Sequence, residues 1–247
     1  MSTDDVLRSE RRGAVLVLTM NRPDKLNALD TALTRALCDG LERAAGDPGV
    51  NAVVLAGAGR AFCAGADTSE FKTLSPEHAD LVSARADLTC RLHSLLRSVR
   101  QPVISAVQGA AVGGGAGLAI GCDLMVAGED LKFGYPELRH SLVPALVMTS
   151  LVRQIGRKLA FELVSTGRML SASEMAALHL VNRVVPPDQV LEAACTLAGT
   201  CACPDPQAMQ ATKALFHQVA ECPFDQAMRA GRQVNIQMRG FAASRGE

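Results

Sequence analysis

Two stretches built almost entirely from glycine and alanine constrain this chain more than any other feature. They are Cys63-Ala-Gly-Ala-Asp67 and Val112-Gly-Gly-Gly-Ala-Gly117. Each follows a short apolar run that reads as a buried strand, residues 51–56 for the first and 102–107 for the second, and each leads toward a helix. Loops of this composition leave backbone N–H groups unobstructed. At a helix start such groups attract anionic oxygen, through hydrogen bonds and through the helix dipole. Two donors, one from each loop, would make an oxyanion hole, where losing one donor costs about 2.7–4 kcal/mol of barrier. The same glycines equally suit tight turns that let helix and strand pack closely. Dinucleotide binding is excluded. Leu118 stands where Gly113-x-Gly115 requires a third glycine, Gly57-x-Gly59 runs into Phe62, and no G-x-x-x-x-G-K-[ST] occurs.

Composition narrows the class further. The 25 Lys and Arg balance 25 Asp and Glu among 247 residues, so no basic excess is available for a nucleic-acid partner. Seven Phe, one Tyr and no Trp offer no stacking platform for bases or sugars. Hydrophobic residues, at 48%, supply a large core. No uncharged apolar run approaches the roughly 20 residues of a membrane span, so no membrane association is expected. The opening residues through Arg12 are charged and lack the apolar core of a signal peptide. Eight irregularly spaced cysteines read as reduced thiols of a cytoplasmic protein.

Along the chain, strands are expected at 14–20, 51–56, 102–107 and 123–127, with a short extended piece at 132–134 and one late strand at 182–186. Asp30 caps a helix that carries Leu33, Leu37 and Leu41 on one face. Ser75-Pro76-Glu77 opens another helix running to about Arg97. Strand and helix alternate to about residue 185, the mark of an α/β fold. Residues 1–187 are expected to form the core domain. Residues 188–247 are expected to form a helical C-terminal region, and its apolar Val190, Leu191, Ala194, Leu197, Met209, Leu215, Phe216, Phe224, Met228 and Val234 point to burial between subunits.

Several motifs occur together in order: Asn21-Arg-Pro, Asn27-Ala-Leu29, Ala61-Phe-Cys-Ala-Gly-Ala-Asp67, Gln101-Pro-Val-Ile, Gln108-Gly, Gly113-Gly-Gly115 and Phe133-Gly-Tyr-Pro-Glu137. In this combination the chain resembles the enoyl-CoA hydratase/isomerase (crotonase) family, from about residue 10 to about 220. The resemblance implies an α/β fold: a crotonase-like spiral of ββα units with a C-terminal helical oligomerisation region, assembled as a homotrimer or a dimer of trimers. It implies an acyl-CoA thioester substrate, with CoA part of the substrate and no metal or redox cofactor. The thioester oxygen would become an enolate held by the Ala66 and Gly114 N–H groups. Glu137 would serve as acid/base, and Arg22, Lys25, Ala28, Leu29, Ala64, Gly65 and Asp67 would hold the CoA portion. The helix from 75 to 97 and residues 142–147 would line part of the acyl pocket.

Departures bear on the chemistry. Hydratases of this family usually carry a second glutamate, which maps to Gly117. Hydration needs a water activated at C3 and a proton delivered to C2, whereas moving a double bond needs one group that takes a proton from C2 and returns one at C4. Both reactions stay open, as does a non-catalytic acyl-CoA-binding scaffold. If Gly117 limits hydration, a glutamate placed there is expected to raise it; otherwise Glu70 and Asp87 are the first candidates for a second acid/base. Lys72 is the nearest substitute for a lysine that the family's first loop often carries. The end at Glu247 precedes a stretch that members commonly use against a neighbouring subunit's CoA. Other residues have plainer readings. Asp67 suits a helix N-cap, Asp123 a bond to nearby backbone, Cys63 packing, and His140 either a touch on Glu137 or the surface. The five histidines have no metal-ligand spacing.

Overall fold

The computed structural model describes residues 6–240, so the first charged residues and the end at Glu247 lie outside the described part. The apolar runs β3 (Ala52–Gly57) and β4 (Val103–Val107) are buried along nearly all their length, as strands covered on both faces must be. They pair in parallel, and β2 (Val15–Met20), β6 (Leu124–Gly128) and β9 (Arg183–Val185) extend the sheet in the same sense. The sixth strand, β1 (Leu7–Arg12), adds an antiparallel edge beside β2.

That edge strand is a correction to the sequence reading, which takes the segment as a polar start. Gly13 adopts a φ of +61° in the tight turn that brings the chain back, placing Leu7 opposite Met20. Leu7 is buried while Arg8, Glu10 and Arg11 face outward. A charged outer strand forms no apolar pattern, and it protects the sheet edge from pairing with other chains.

Alternation along the strands divides the core in two. On one side Leu18, Met20, Val53 and Leu55 pack with Leu33, Leu37 and Leu41 of α1 (Thr31–Gly46), Leu92 and Leu96 of α2 (Ala79–Ser98) and Leu118 of α3 (Gly114–Gly121). Asp30 caps α1 as expected, accepting from the Leu33 N–H at 2.7 Å. A three-stranded sheet draws β5 (Ala110–Val112) from before α3, and β7 (Lys132–Gly134) and β8 (Leu170–Ser171) from after it. In the chain, α4 (Met148–Ile155) and α5 (Arg157–Thr166) lie between β7 and β8, and α6 (Ala172–Ala177) follows β8.

On the other side, Val15, Val17, Val54, Ile104 and Val126 are covered by Val190, Ala194 and Ala198 of α7 (Val190–Ala202). Val190 and Ala194 are thus buried within the protomer, against the expectation that they meet a neighbouring subunit. The remaining helices, α8 (Pro206–Val219) and α9 (Phe224–Gln237), leave Phe216, Phe224, Met228 and Ile236 exposed. α8 is fastened by charge. Buried Lys213 donates to Leu96 O at 3.0 Å and Gln101 O at 2.9 Å, and it pairs with Asp123 at 2.7 Å. Asp123 does bond backbone, at the Val103 N–H, but its other oxygen meets His217 at 2.8 Å.

Candidate active site

The two Gly/Ala loops lie side by side. The Cys63 N–H donates to Ala110 O at 2.9 Å, and the Val112 N–H donates to Cys63 O at 3.0 Å. Residues 22–29 are stitched onto the first loop, with the Leu29 N–H on Gly65 O at 2.7 Å and the Asp67 N–H on Leu29 O at 3.1 Å. Buried Asn27, at a φ of +56°, donates to Ala58 O and Ala61 O and accepts from the Arg22 N–H, all within 2.9 Å.

Arg22 and Asp67 meet here, chiefly each other. The Arg22 guanidinium contacts Asp67 at 2.8 Å and Asp30 at 3.1 Å, and donates to Ala28 O. Asp67 caps a 3₁₀ turn and accepts from the Ser69 hydroxyl and N–H. Those Ser69 bonds, with Arg22 beside them, pull its carboxyl down to about 2. Lys25 is exposed, Ala28 and Ala64 are half-buried, and Leu29 is buried.

Gly65 has a φ of +98°, and a Cβ there would stand 2.9 Å from Val112 O; only glycine lets the loops approach this closely. The approach sets the Ala66 nitrogen 3.7 Å from the point where a Cβ of Gly114 would lie. Among the described residues no acceptor pairs with the N–H of Ala66 or Gly114.

Glu137 arrives from the second sheet. The Gly113 N–H donates to Gly134 O at 2.9 Å, tying the end of β7 to the start of α3. Three residues on, Glu137 Oε1 lies 2.9 Å from where a Cβ of Gly113 would stand. Burial pushes the Glu137 carboxyl up. Its Oε2 is shielded and lacks a partner among the described residues, as does the hydroxyl of Tyr135. Such an unmet group costs about 1–3 kcal/mol. Tyr135 stands edge-on to Phe133, and burial together with the Glu137 charge pushes its phenol up. His140 is exposed.

One turn along α3, the Gly117 N–H donates to Gly113 O at 2.9 Å. A Cβ on Gly117 would lie 2.8 Å from His93 Cε1 and 2.9 Å from Val147 Cβ. Position 117 therefore has no room for the first carbon of a side chain, and a glutamate placed there would displace its neighbours. The other candidates are engaged or remote. Glu70 accepts from the Thr31 N–H at 2.9 Å and faces Arg85, and Asp87 is exposed.

His93 is the residue that sequence reasoning missed. Its Nε2 is shielded and lacks a partner among the described residues, and burial holds its pKa down to about 4, so the ring is neutral at pH 7. The available signal was indirect, because the two segments expected around the acyl group, 75–97 and 142–147, converge through His93 and Val147 on Gly117. Burial pushes the Cys63 thiol up to about 12, in keeping with packing. No group of three or more His, Cys, Asp or Glu suited to a metal ion occurs among the described residues, and no described helix is long and apolar enough to cross a membrane.

Residues 10–243 match the family model described as enoyl-CoA hydratase/isomerase. The chain belongs to this family. The 2,3-dehydroadipyl-CoA hydratase of Escherichia coli (strain K12) is 37% identical over 225 residues, covering 91% of this chain and 86% of that protein. An enoyl-CoA hydratase of Mycobacterium tuberculosis is 36% identical over 232 residues, covering 93% of this chain and 86% of its own length. The solved enoyl-CoA hydratase of Mycobacterium smegmatis superposes with a TM-score of 0.89 at 32% identity, over 94% of this chain and 91% of that one. The fold is thus the expected crotonase-type α/β architecture with a helical C-terminal region, and the protein is a crotonase-type hydratase/isomerase enzyme. The scaffold reading is set aside.

Proposed function

We propose that the enzyme converts enoyl-CoA thioesters through an enolate, held by the Ala66 and Gly114 N–H groups, with Glu137 moving the proton. The observation that carries this reading is the meeting of two N–H groups from separate loops, without an acceptor among the described residues, beside a half-buried carboxyl with a shielded, unmet oxygen. As charge develops on the thioester oxygen, both donors strengthen their bonds without rearranging, which is how such a cradle lowers a barrier. The raised Glu137 carboxyl holds its proton closer to neutral pH than an exposed glutamate does, and so can deliver it to C2. Exposed Lys25, with Ala28, Leu29, Ala64 and Gly65 along the seam, would hold the CoA portion, while Arg22 and Asp67 keep that seam closed. CoA enters as part of the substrate, and the enolate route calls for no metal or redox group.

Hydration of a 2-enoyl thioester is the favoured direction, in line with the relatives' activities. Isomerisation of a 3-enoyl thioester is the second reading, favoured by the lack of a second carboxylate at Gly117. Crotonyl-CoA losing its conjugated-thioester absorbance marks hydration; a 3-enoyl-CoA gaining it marks isomerisation. Glu137→Gln is expected to lower turnover by about 10²–10⁴-fold while leaving CoA binding nearly intact, and turnover within about tenfold of the native enzyme would overturn the assignment.

We further assign the exposed apolar residues of α8 and α9 to a trimer interface, with the arm reduced to the part of 188–247 beyond α7. A homotrimer or dimer of trimers would give three or six times 26.0 kDa by light scattering. A single 26.0 kDa species at micromolar concentration would reject it. The eight free thiols fit a reducing compartment, and we place the enzyme in the cytoplasm.

A further inference from the structure

Adding water across a C=C bond requires a group that holds the water at C3, besides the one that protonates C2. Glu137 sits against Gly113, and one turn further along α3 the bare backbone of Gly117 is covered by the imidazole of His93. Three features set this histidine apart. Its Nε2 is shielded and has no partner among the described residues. Burial keeps the ring neutral, which leaves it a lone pair for a water while making it no stronger a base than a carboxylate. Its remaining surface faces a chamber of about 740 Å³, which Arg97, Asp123, Arg153, His217 and Glu221 also line. The imidazole therefore stands between the inner face of α3 and a polar space.

We propose that His93 holds and activates the water that adds to C3, with Nε2 accepting its proton. The proposal rests on the enolate reading given above. In the step, the water oxygen bonds to C3 as its proton passes to Nε2. The C2=C3 electron pair moves into the thioester, whose oxygen is held by the Ala66 and Gly114 N–H groups. The enolate then collapses by taking the Glu137 proton at C2. One proton leaves His93 by way of the polar chamber and one returns to Glu137 from solvent, so the net addition is one water.

The test separates water addition from proton transfer at C2. Hydration is followed with crotonyl-CoA. Proton transfer alone is followed by deuterium wash-in at C2 of butyryl-CoA in D₂O, which uses the N–H cradle and Glu137 but adds no water. His93→Ala is expected to lower hydration by about 10²-fold or more and to leave C2 exchange within about threefold. His93→Gln, which can hold a water but not take its proton, is expected to fall between the two. A parallel fall of hydration and exchange would assign His93 a structural role and overturn the proposal, as would hydration by His93→Ala within about threefold of the native rate.

A measurement on the unaltered enzyme guards against misfolded variants. With ¹⁵N-labelled histidine, the Nε2 resonance of His93 is expected to move when 3-hydroxybutyryl-CoA binds, and an unmoved resonance in the bound state would also overturn the proposal. Failure of the underlying enolate reading looks different, because C2 exchange would then be absent in the native enzyme or unaffected by Glu137→Gln.

Discussion

The seam joining residues 22–29 to the first loop and the bare face of α3 are neighbours, yet they treat polar atoms in opposite ways. At the seam, Asn27 uses both ends of its amide, and Arg22, Asp30, Asp67 and Ser69 satisfy one another. Around α3, Glu137 Oε2, Tyr135 Oη and His93 Nε2 are shielded and unmet among the described residues. A saturated network holds backbone rigidly, and here it holds the stretch that carries the Ala66 N–H. The unmet atoms weaken the fold locally. The contrast matches stability to one region and the proposed chemistry to the other.

The comparison can be broken at either end. Asn27→Ala removes three hydrogen bonds and a residue suited to a left-handed backbone, so urea unfolding should show a loss of about 3 kcal/mol. A loss below about 1 kcal/mol would mean that the seam is not the stabilising element. Acid tests the other region. His93 is held at about 4 against an ordinary 6.5, so the unfolded chain takes up the proton first. The stability it contributes is present above pH 6.5 and drains as pH falls toward 4, by an amount on the order of 3 kcal/mol. His93→Gln should remove that stretch of the stability–pH curve, and superimposable curves would contradict it.

A smaller effect is expected from Gly117→Ala. Its methyl group must push His93 or Val147 aside, which costs about 1–2 kcal/mol, and hydration should fall rather than rise. The smallest effect sharpens the contrast most. The raised Glu137 pKa means that ionisation is resisted in the fold, so its favourable contribution is present at low pH and lost as pH rises through the raised value. Glu137→Gln should therefore unfold at pH 7 within about 1 kcal/mol of the native protein, or above it, despite its loss of turnover.

These two regions also differed in how far the sequence disclosed them. The strands β2, β3, β4 and β6 could be read because Val and Leu runs between turn residues have few alternatives, and Asp30 marked the start of α1 for the same local reason. The Gly/Ala loops and Glu137 were legible as a combination of motifs. β1 was not, because a charged edge strand gains its pairing from Gly13 and β2 rather than from its own pattern. His93 was not, because its place depends on a glycine 24 residues away whose missing side chain makes the space it fills. The bond between Asp123 and His217 spans 94 residues, and no local periodicity can announce it.

The grip of Lys213 on the Leu96 carbonyl reaches further than its own helix. Leu96 lies three residues beyond His93 on α2, about 4.5 Å of axial rise. Arg97, next along the chain, is held by Glu221 and the His217 carbonyl. The C-terminal arm thus has its hand on the last turn of the rod that carries the imidazole. A load applied to α8, whether from a neighbouring molecule or from a cut in the chain, is transmitted as a tilt or slide of α2, and a slide of one ångström there moves the ring by the same distance relative to α3. The arm and the imidazole are thus joined through one stiff helix.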